Sequence, residues 1–249
     1  MSTRTAPETG AWIRRFHPAP QARHRLVCFP HAGGSASFYF PVSRTLSPDI
    51  EVLAVQYPGR QDRRHEPCLD TVAGLADTLA QEIRPWAQEP LTFFGHSMGA
   101  TLAFEVAARL ESEGIVLHGL FASGRRAPST VRDERVHLRD DEGLIADISR
   151  LSGTDTQVLG DPEVLRMILP AIRADYRAAE TYRYTPGPKL HCPLFALTGD
   201  TDPQVTLEEA RAWGGHTTAA FTLQVHPGGH FYLNTRAAEV MSAIRTHLS

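Results

Sequence analysis

The sequence predicts an α/β fold, a mainly parallel central sheet flanked by helices, from three observations. Short, nearly all-apolar runs alternate with amphipathic stretches of helical spacing along most of the 249 residues. A strand covered on one face only would alternate apolar with polar, so unbroken apolar runs point to a parallel sheet buried on both faces. Glycine-bearing turns join several runs to the helical stretch that follows, as in "FFGHSMGA" at 93–100.

The first ten residues are polar and read as a frayed tail, and "AWIRRF" reads as an edge strand. "RLVCFP" (25 to 30) is a strand that runs into the loop "HAGGSAS", with a helix predicted near Phe38 to Leu46. "IEVLAVQYP" is the next strand and "DTVAGLADTLAQEIRPWA" an amphipathic helix. "LTFFG" is followed by the helix "MGATLAFEVAARLESEG", stopped by Gly114, and "HGLFASG" adds another strand. After an interruption the sheet resumes with "CPLFALTG", a helix near Leu207 to Trp213, the strand "FTLQVHP" and a last helix near Thr235 to Leu248. One domain over 1–249 is expected.

The interruption, residues 128 to 188, is far longer than an ordinary crossover. It holds two helical patterns, Leu144, Ile145, Ile148 and Leu151, then Val164, Leu165, Ile168, Leu169 and Ile172 after an Asp161-Pro162 start. It reads as a helical insertion, either extra packing or a lid over a substrate chamber.

Composition narrows the function. A formal net charge of −3 and 42% hydrophobic residues give no overall attraction to nucleic acid or to an anionic membrane. Cys28, Cys68 and Cys192 are odd in number and widely spaced, which suggests neither a disulfide framework nor a zinc site. No apolar run approaches the roughly 20 residues needed to span a bilayer. A cytoplasmic monomer is expected.

Gly95-His96-Ser97-Met98-Gly99 matches G-x-S-x-G between a predicted strand and a predicted helix. That turn lifts a serine hydroxyl above the carboxyl edge of the sheet, at a helix N-terminus that favours developing negative charge. The glycines are expected to permit the cramped backbone. A serine needs a base to take its proton and a carboxylate to orient that base, both C-terminal in this arrangement. "LFALTGDTDPQV" offers Asp200 and Asp202 at a strand end. Thr206-Leu207-Glu208-Glu209 supplies a capping box of its own, and the spacing Gly199-x-x-Asp202-x-x-Val205 favours Asp202, with Asp200 as rival or turn-stabilising residue. His230, after Gly228-Gly229 on a loop beyond the last strand, is the expected base. His226 and His230 have the i, i+4 spacing of a metal pair, but Pro227-Gly228-Gly229 forbids the helix this would need, so no metal is expected. Two N–H donors must meet the oxyanion of a tetrahedral intermediate. The expected donors are Met98, after the nucleophile, and Ala32 in "FPHAGGSA". His31 fits a pocket wall, an orienting group or an ordinary loop residue.

"FPHAGGSA", "QYPGRQDR", "GHSMGA", "SGRRAP", the Gly199-to-Val205 run and "GGHF" together resemble the α/β-hydrolases and, more closely, the type II thioesterases of polyketide and nonribosomal peptide synthesis, in that family's order and over nearly the whole chain. The resemblance implies a catalytic set of Ser97, Asp202 and His230 and no cofactor. It also implies editing hydrolysis of acyl groups from the phosphopantetheine arm of acyl or peptidyl carrier proteins. Thioesterase domains fused to synthases usually carry the acid one strand earlier, where "FASGRRAP" has no carboxylate before Asp133. Carrier proteins are typically acidic, so Arg60, Arg63, Arg64, Arg125 and Arg126, on loops at strand ends, are candidates for a docking face; solvated arginines or internal ion pairs are the plainer reading. The alternatives are a broad esterase or lipase-like hydrolase and a non-catalytic carrier-binding scaffold.

Overall fold

The computed structural model describes residues 10–151 and 161–248. The polar tail therefore falls almost wholly outside the described residues. Strands β1 (Ile13–Arg14), β2 (His24–Phe29), β3 (Ile50–Val55), β4 (Leu91–His96), β5 (Gly119–Ser123), β6 (Leu194–Gly199) and β7 (Phe221–His226) form one sheet in the order β1-β3-β2-β4-β5-β6-β7. Every pairing is parallel except that of β1, a two-residue edge strand antiparallel to β3.

Both faces of the sheet are covered, which is why its inner strands read as unbroken apolar runs. On β2, Val27 and Phe29 enter the core under the helices α2 (Val72–Ile83) and α3 (Met98–Ser112), while Leu26 and Cys28 enter the core on the other side. That second core also takes Leu46 from α1 (Phe40–Leu46), and Val240 and Ile244 from the last helix. Each such side chain taken from water contributes about 1.5–3 kcal/mol. Helix α2 begins where the Thr71 hydroxyl accepts the Gly74 N–H at 3.2 Å.

The chain from β5 to β6 holds both predicted helical patterns as α4 (Asp141–Leu151) and α5 (Pro162–Thr181). Asp161 starts α5 by accepting the N–H groups of Glu163 and Val164. A small separate core of Val136, Leu144, Ile148, Leu169 and Ile172 joins the two helices. Arg173 on α5 pairs with Asp141 at 2.6 Å, and Glu180 accepts the N–H groups of Val136 and His137. After β6 come α6 (Leu207–Arg211), with the expected capping box of Thr206 and Glu209, and finally α7 (Ala237–Leu248).

From β2 the chain moves outward to β3, and β4 returns on the opposite side of β2. The carboxyl ends of β2 and β4 thus flank a reversal in strand order, where open α/β sheets form a crevice.

Candidate active site

Strand β4 ends at His96 and α3 starts at Met98, so the chain turns through Ser97 alone. Ser97 has φ 55° and ψ −121°, a conformation that costs a non-glycine residue about 1–3 kcal/mol. Its N–H donates to Ser123 O at 2.8 Å and its own carbonyl accepts the Ala100 N–H at 2.9 Å, which hold it there. The motif glycines permit the cramped turn as expected, but through their lack of bulk. The strained backbone falls on the serine, and Gly99 supplies absence of bulk: a Cβ there would stand 2.1 Å from Phe29 O. Likewise a Cβ on Gly95 would stand 2.2 Å from Gly99 O, so α3 can press its first turn onto β2 and β4.

Beyond β6 and β7 two loops meet. His230 Nδ1 lies 2.9 Å from Asp202 Oδ2 and 3.1 Å from Oδ1, and both side chains are closed off from solvent. Asp202 Oδ1 also accepts the Gln204 N–H at 2.8 Å. Asp200 takes the turn-stabilising position, its Oδ1 accepting the Gly228 N–H at 2.9 Å, which ties the acid's loop to the histidine's. His226 stacks on Tyr232 and pairs with Glu239, away from His230. Among the described residues, no group of three or more His, Cys, Asp or Glu side chains could hold a metal ion.

Ser97, Met98, His230, His31 and Ala32 line one cavity of about 1080 Å³, roofed by α4 and α5 through Ile148, Leu151, Ile168 and Ile172. No group among the described residues accepts from the N–H of Ala32 or of Met98. His31 is held edge-on between Phe38 and Phe231, both with ring centres 4.8 Å away. Burial, reinforced by His230 and Arg60, pushes its pKa down to about 3, so it is a neutral wall of the cavity. His96 is neutral for the same reasons, chiefly burial and then His230 and His31. Its Nδ1 meets Ser123 Oγ at 2.9 Å, and Ser123 Oγ meets Tyr232 OH at 2.7 Å. This chain of contacts backs the His230 ring, whose centre is 5.1 Å from that of His96.

The expected arginine face is corrected by burial. Arg60 is only 8% exposed and pairs with Asp175 through two nitrogens, at 2.6 and 2.9 Å. Arg63 lies over the Trp12 ring and pairs with Glu66, and Arg126 pairs with Glu134. Arg125 is half-buried and donates to Thr101 Oγ1 and Ala179 O; burial, then Arg126, push its pKa down to about 10. Of the five, Arg64 alone is exposed. Long side chains at strand ends can fold inward onto carboxylates brought from distant segments, which loop position by itself does not reveal.

Residues 24–248 match the family described as "Thioesterase domain". The chain belongs to the thioesterase family. This thioesterase is 54% identical over 243 residues to the thioesterase PikA5 of Streptomyces venezuelae, covering 97% of this chain and 86% of that one. It is 55% identical over 241 residues to a probable cadicidin biosynthesis thioesterase of Streptomyces griseus, covering 96% and 67% of the two chains. In three dimensions it is similar to the type II thioesterase BorB from the borrelidin biosynthetic cluster, with a TM-score of 0.92, 55% identity, and 98% and 100% of the two chains covered. Among the described residues no helix of this thioesterase is long and apolar enough to cross a membrane.

Two groups of residues at this site escaped the sequence reading, the His96–Ser123–Tyr232 chain and Asp175. Asp175 continues the inward-facing stripe of half-buried Ile168 and buried Ile172 on α5, and a carboxylate on such a stripe was the available signal.

Proposed function

We propose that this thioesterase releases acyl groups from the phosphopantetheine thiol of carrier proteins as a discrete editing enzyme, through an acyl intermediate on Ser97. The observation that carries the reading is the solvent-shielded His230–Asp202 pair, with His230 lining the same cavity as the strained Ser97. The likeness to PikA5 and to the type II thioesterase BorB supports the substrate class.

In this mechanism the Nδ1–H of His230 donates to Asp202, which leaves Nε2 as the base. His230 takes the proton of Ser97 Oγ as Oγ bonds to the thioester carbonyl carbon, and the oxygen becomes an anion met by the N–H groups of Ala32 and Met98. Collapse breaks the carbon–sulfur bond, the thiol leaves with the proton from His230, and water repeats the sequence to free the carboxylic acid. Within the segment 128 to 188, α4 and α5 act as a lid, since both line the cavity that holds Ser97. An acidic carrier would meet the exposed Arg64 rather than the other four arginines, which are buried or half-buried. The reading places the enzyme in the cytoplasm.

Mass spectrometry of a panel of acylated carrier proteins, exposed to the enzyme and to its Ser97→Ala variant, tests this. Free holo-carrier and acid are expected with the wild type alone. Turnover of p-nitrophenyl esters without release from any carrier would favour the broad esterase, and release by Ser97→Ala would remove the nucleophile.

A further inference from the structure

The loop that follows β2 is held from two directions. From the β3 side, the Tyr57 hydroxyl donates to Pro30 O at 3.1 Å, Gln56 Oε1 accepts the Ala36 N–H at 2.8 Å, and Arg60 donates to Gly34 O at 3.0 Å. The peptide between Ala32 and Gly33 is gripped from the other side, by α5: the Gly33 N–H donates to Asp175 Oδ2 at 2.7 Å across 142 residues of sequence. The same carboxylate is the partner of Arg60, and only 1% of Asp175 is exposed. Gly33 has φ +76°, and a Cβ there would stand 2.8 Å from Ile172 Cγ1, so α5 lies directly against the loop.

These contacts fix a direction. A planar peptide whose N–H is aimed at Asp175 has its carbonyl aimed the opposite way, which sets the rotation of the backbone at Ala32 from its C-terminal side. The turn in which Gly34 N–H donates to His31 O at 2.9 Å sets it from the other. The N–H of Ala32 is left with no protein acceptor among the described residues, at the wall of the cavity that holds Ser97.

We infer that Asp175 is a positioning residue for the oxyanion hole, holding the Ala32 N–H in place through Gly33, so that the hole is complete only while α5 is seated on the loop. The inference rests on the proposed role of Ala32. It makes the roof of the cavity part of the catalytic apparatus: an α5 lifted to admit substrate would release Gly33 and Arg60 together, and the electrostatic site would form as the chamber closes.

The experiment compares the wild type with Asp175→Ala and Asp175→Asn, each checked for folding by circular dichroism. Three quantities are read: kcat and KM on an acyl-pantetheine thioester, the inhibition constant of an alkyl trifluoromethyl ketone, and the dissociation constant of the matching uncleavable pantetheine thioether. The ketone adds Ser97 Oγ to its carbonyl carbon, passes the serine proton to His230 and leaves an oxyanion in the hole; the thioether forms none. Asp175→Ala should lower kcat about 100-fold and weaken the ketone by a similar factor, because one oxyanion donor is worth about that much. KM and thioether binding should stay within about twofold, since uniform binding is untouched. Asp175→Asn, which keeps an oxygen for the Gly33 N–H and nearly the same shape, should recover much of the loss. Equal weakening of ketone and thioether would overturn the inference, as would an unchanged kcat in folded Asp175→Ala. If Asp175→Ala does not fold, Asp175→Val, which fills more of the space but offers no acceptor to the Gly33 N–H, decides by the same ratio of ketone to thioether affinity. A wild type that forms no ketone adduct would instead sink the proposed Ser97 mechanism.

Discussion

His230 Nδ1 faces both oxygens of Asp202, at 2.9 and 3.1 Å, inside a pocket closed to solvent. An ionised carboxylate there holds one tautomer of the ring and stabilises the imidazolium that forms when a serine proton is taken. Asp202→Asn keeps an oxygen for the Gln204 N–H but presents an amide to His230, which favours the wrong tautomer. We expect kcat on an acyl thioester to fall about 10³–10⁴-fold with KM nearly unchanged. A loss below tenfold in steady-state assays would show that Asp202 is not the orienting acid.

Gly99 tests the sterics of the turn. Its missing side chain lets α3 approach Phe29 O, where a Cβ would sit at 2.1 Å, whereas a Cβ on Gly215 meets nothing within 4 Å. Gly99→Ala should destabilise the fold by about 3 kcal/mol or more, because backbone rather than a flexible side chain must move. Gly215→Ala should stay within about 0.5 kcal/mol of wild type. Urea unfolding of both variants checks the contrast; equal midpoints would mean that the close approach of α3 to β2 is not needed.

The arginines separate an interaction surface from internal structure. Arg126 is 5% exposed and pairs with Glu134, so Arg126→Glu should cost about 2–4 kcal/mol in unfolding measurements. Arg64→Glu should leave stability within about 0.5 kcal/mol. Under the carrier-docking proposal it should also reduce kcat/KM on an acidic carrier at low salt more than at high salt, since screening weakens long-range attraction. The same kcat/KM loss on a free pantetheine thioester would remove Arg64 from any docking role.

The parts legible in the sequence were those written locally. Val27 and Phe29 alternate with Leu26 and Cys28 into two different cores, which leaves an unbroken apolar run that can be read without coordinates. Ser97 was legible because strand, turn and helix are contiguous, and Asp202 and His230 because each follows its own strand. The site of the strain was not legible: the motif does not say that the positive φ lies at Ser97, nor that Gly99 avoids a clash with a strand 70 residues away in sequence. Arg60 and Asp175, 115 residues apart, show the general limit. Whether a charge points outward or into a partner is decided by tertiary packing, and residue type at a loop position does not encode it.

Two neutral histidines, His31 in the cavity wall and His96 behind His230, give the protein a pH dependence whose sign can be worked out. Burial is the main cause that holds His31 down at about 3 and His96 well below its ordinary value of 6.5. In the unfolded chain both titrate near 6.5, so below about 6.5, and for His31 down to about 3, the unfolded state binds more protons than the folded one. Their contribution to stability is therefore complete above pH 6.5 and is lost progressively as the pH falls below it. Each neutral histidine steepens the acid decline by up to about 1.4 kcal/mol per pH unit. Urea midpoints measured from pH 7.5 to 4.5 should fall more steeply for the wild type than for His96→Gln, which retains a partner for Ser123 Oγ and cannot titrate. Parallel curves would show that His96 is not kept neutral in the folded protein, and the account of the His96–Ser123–Tyr232 support for His230 would fall with it.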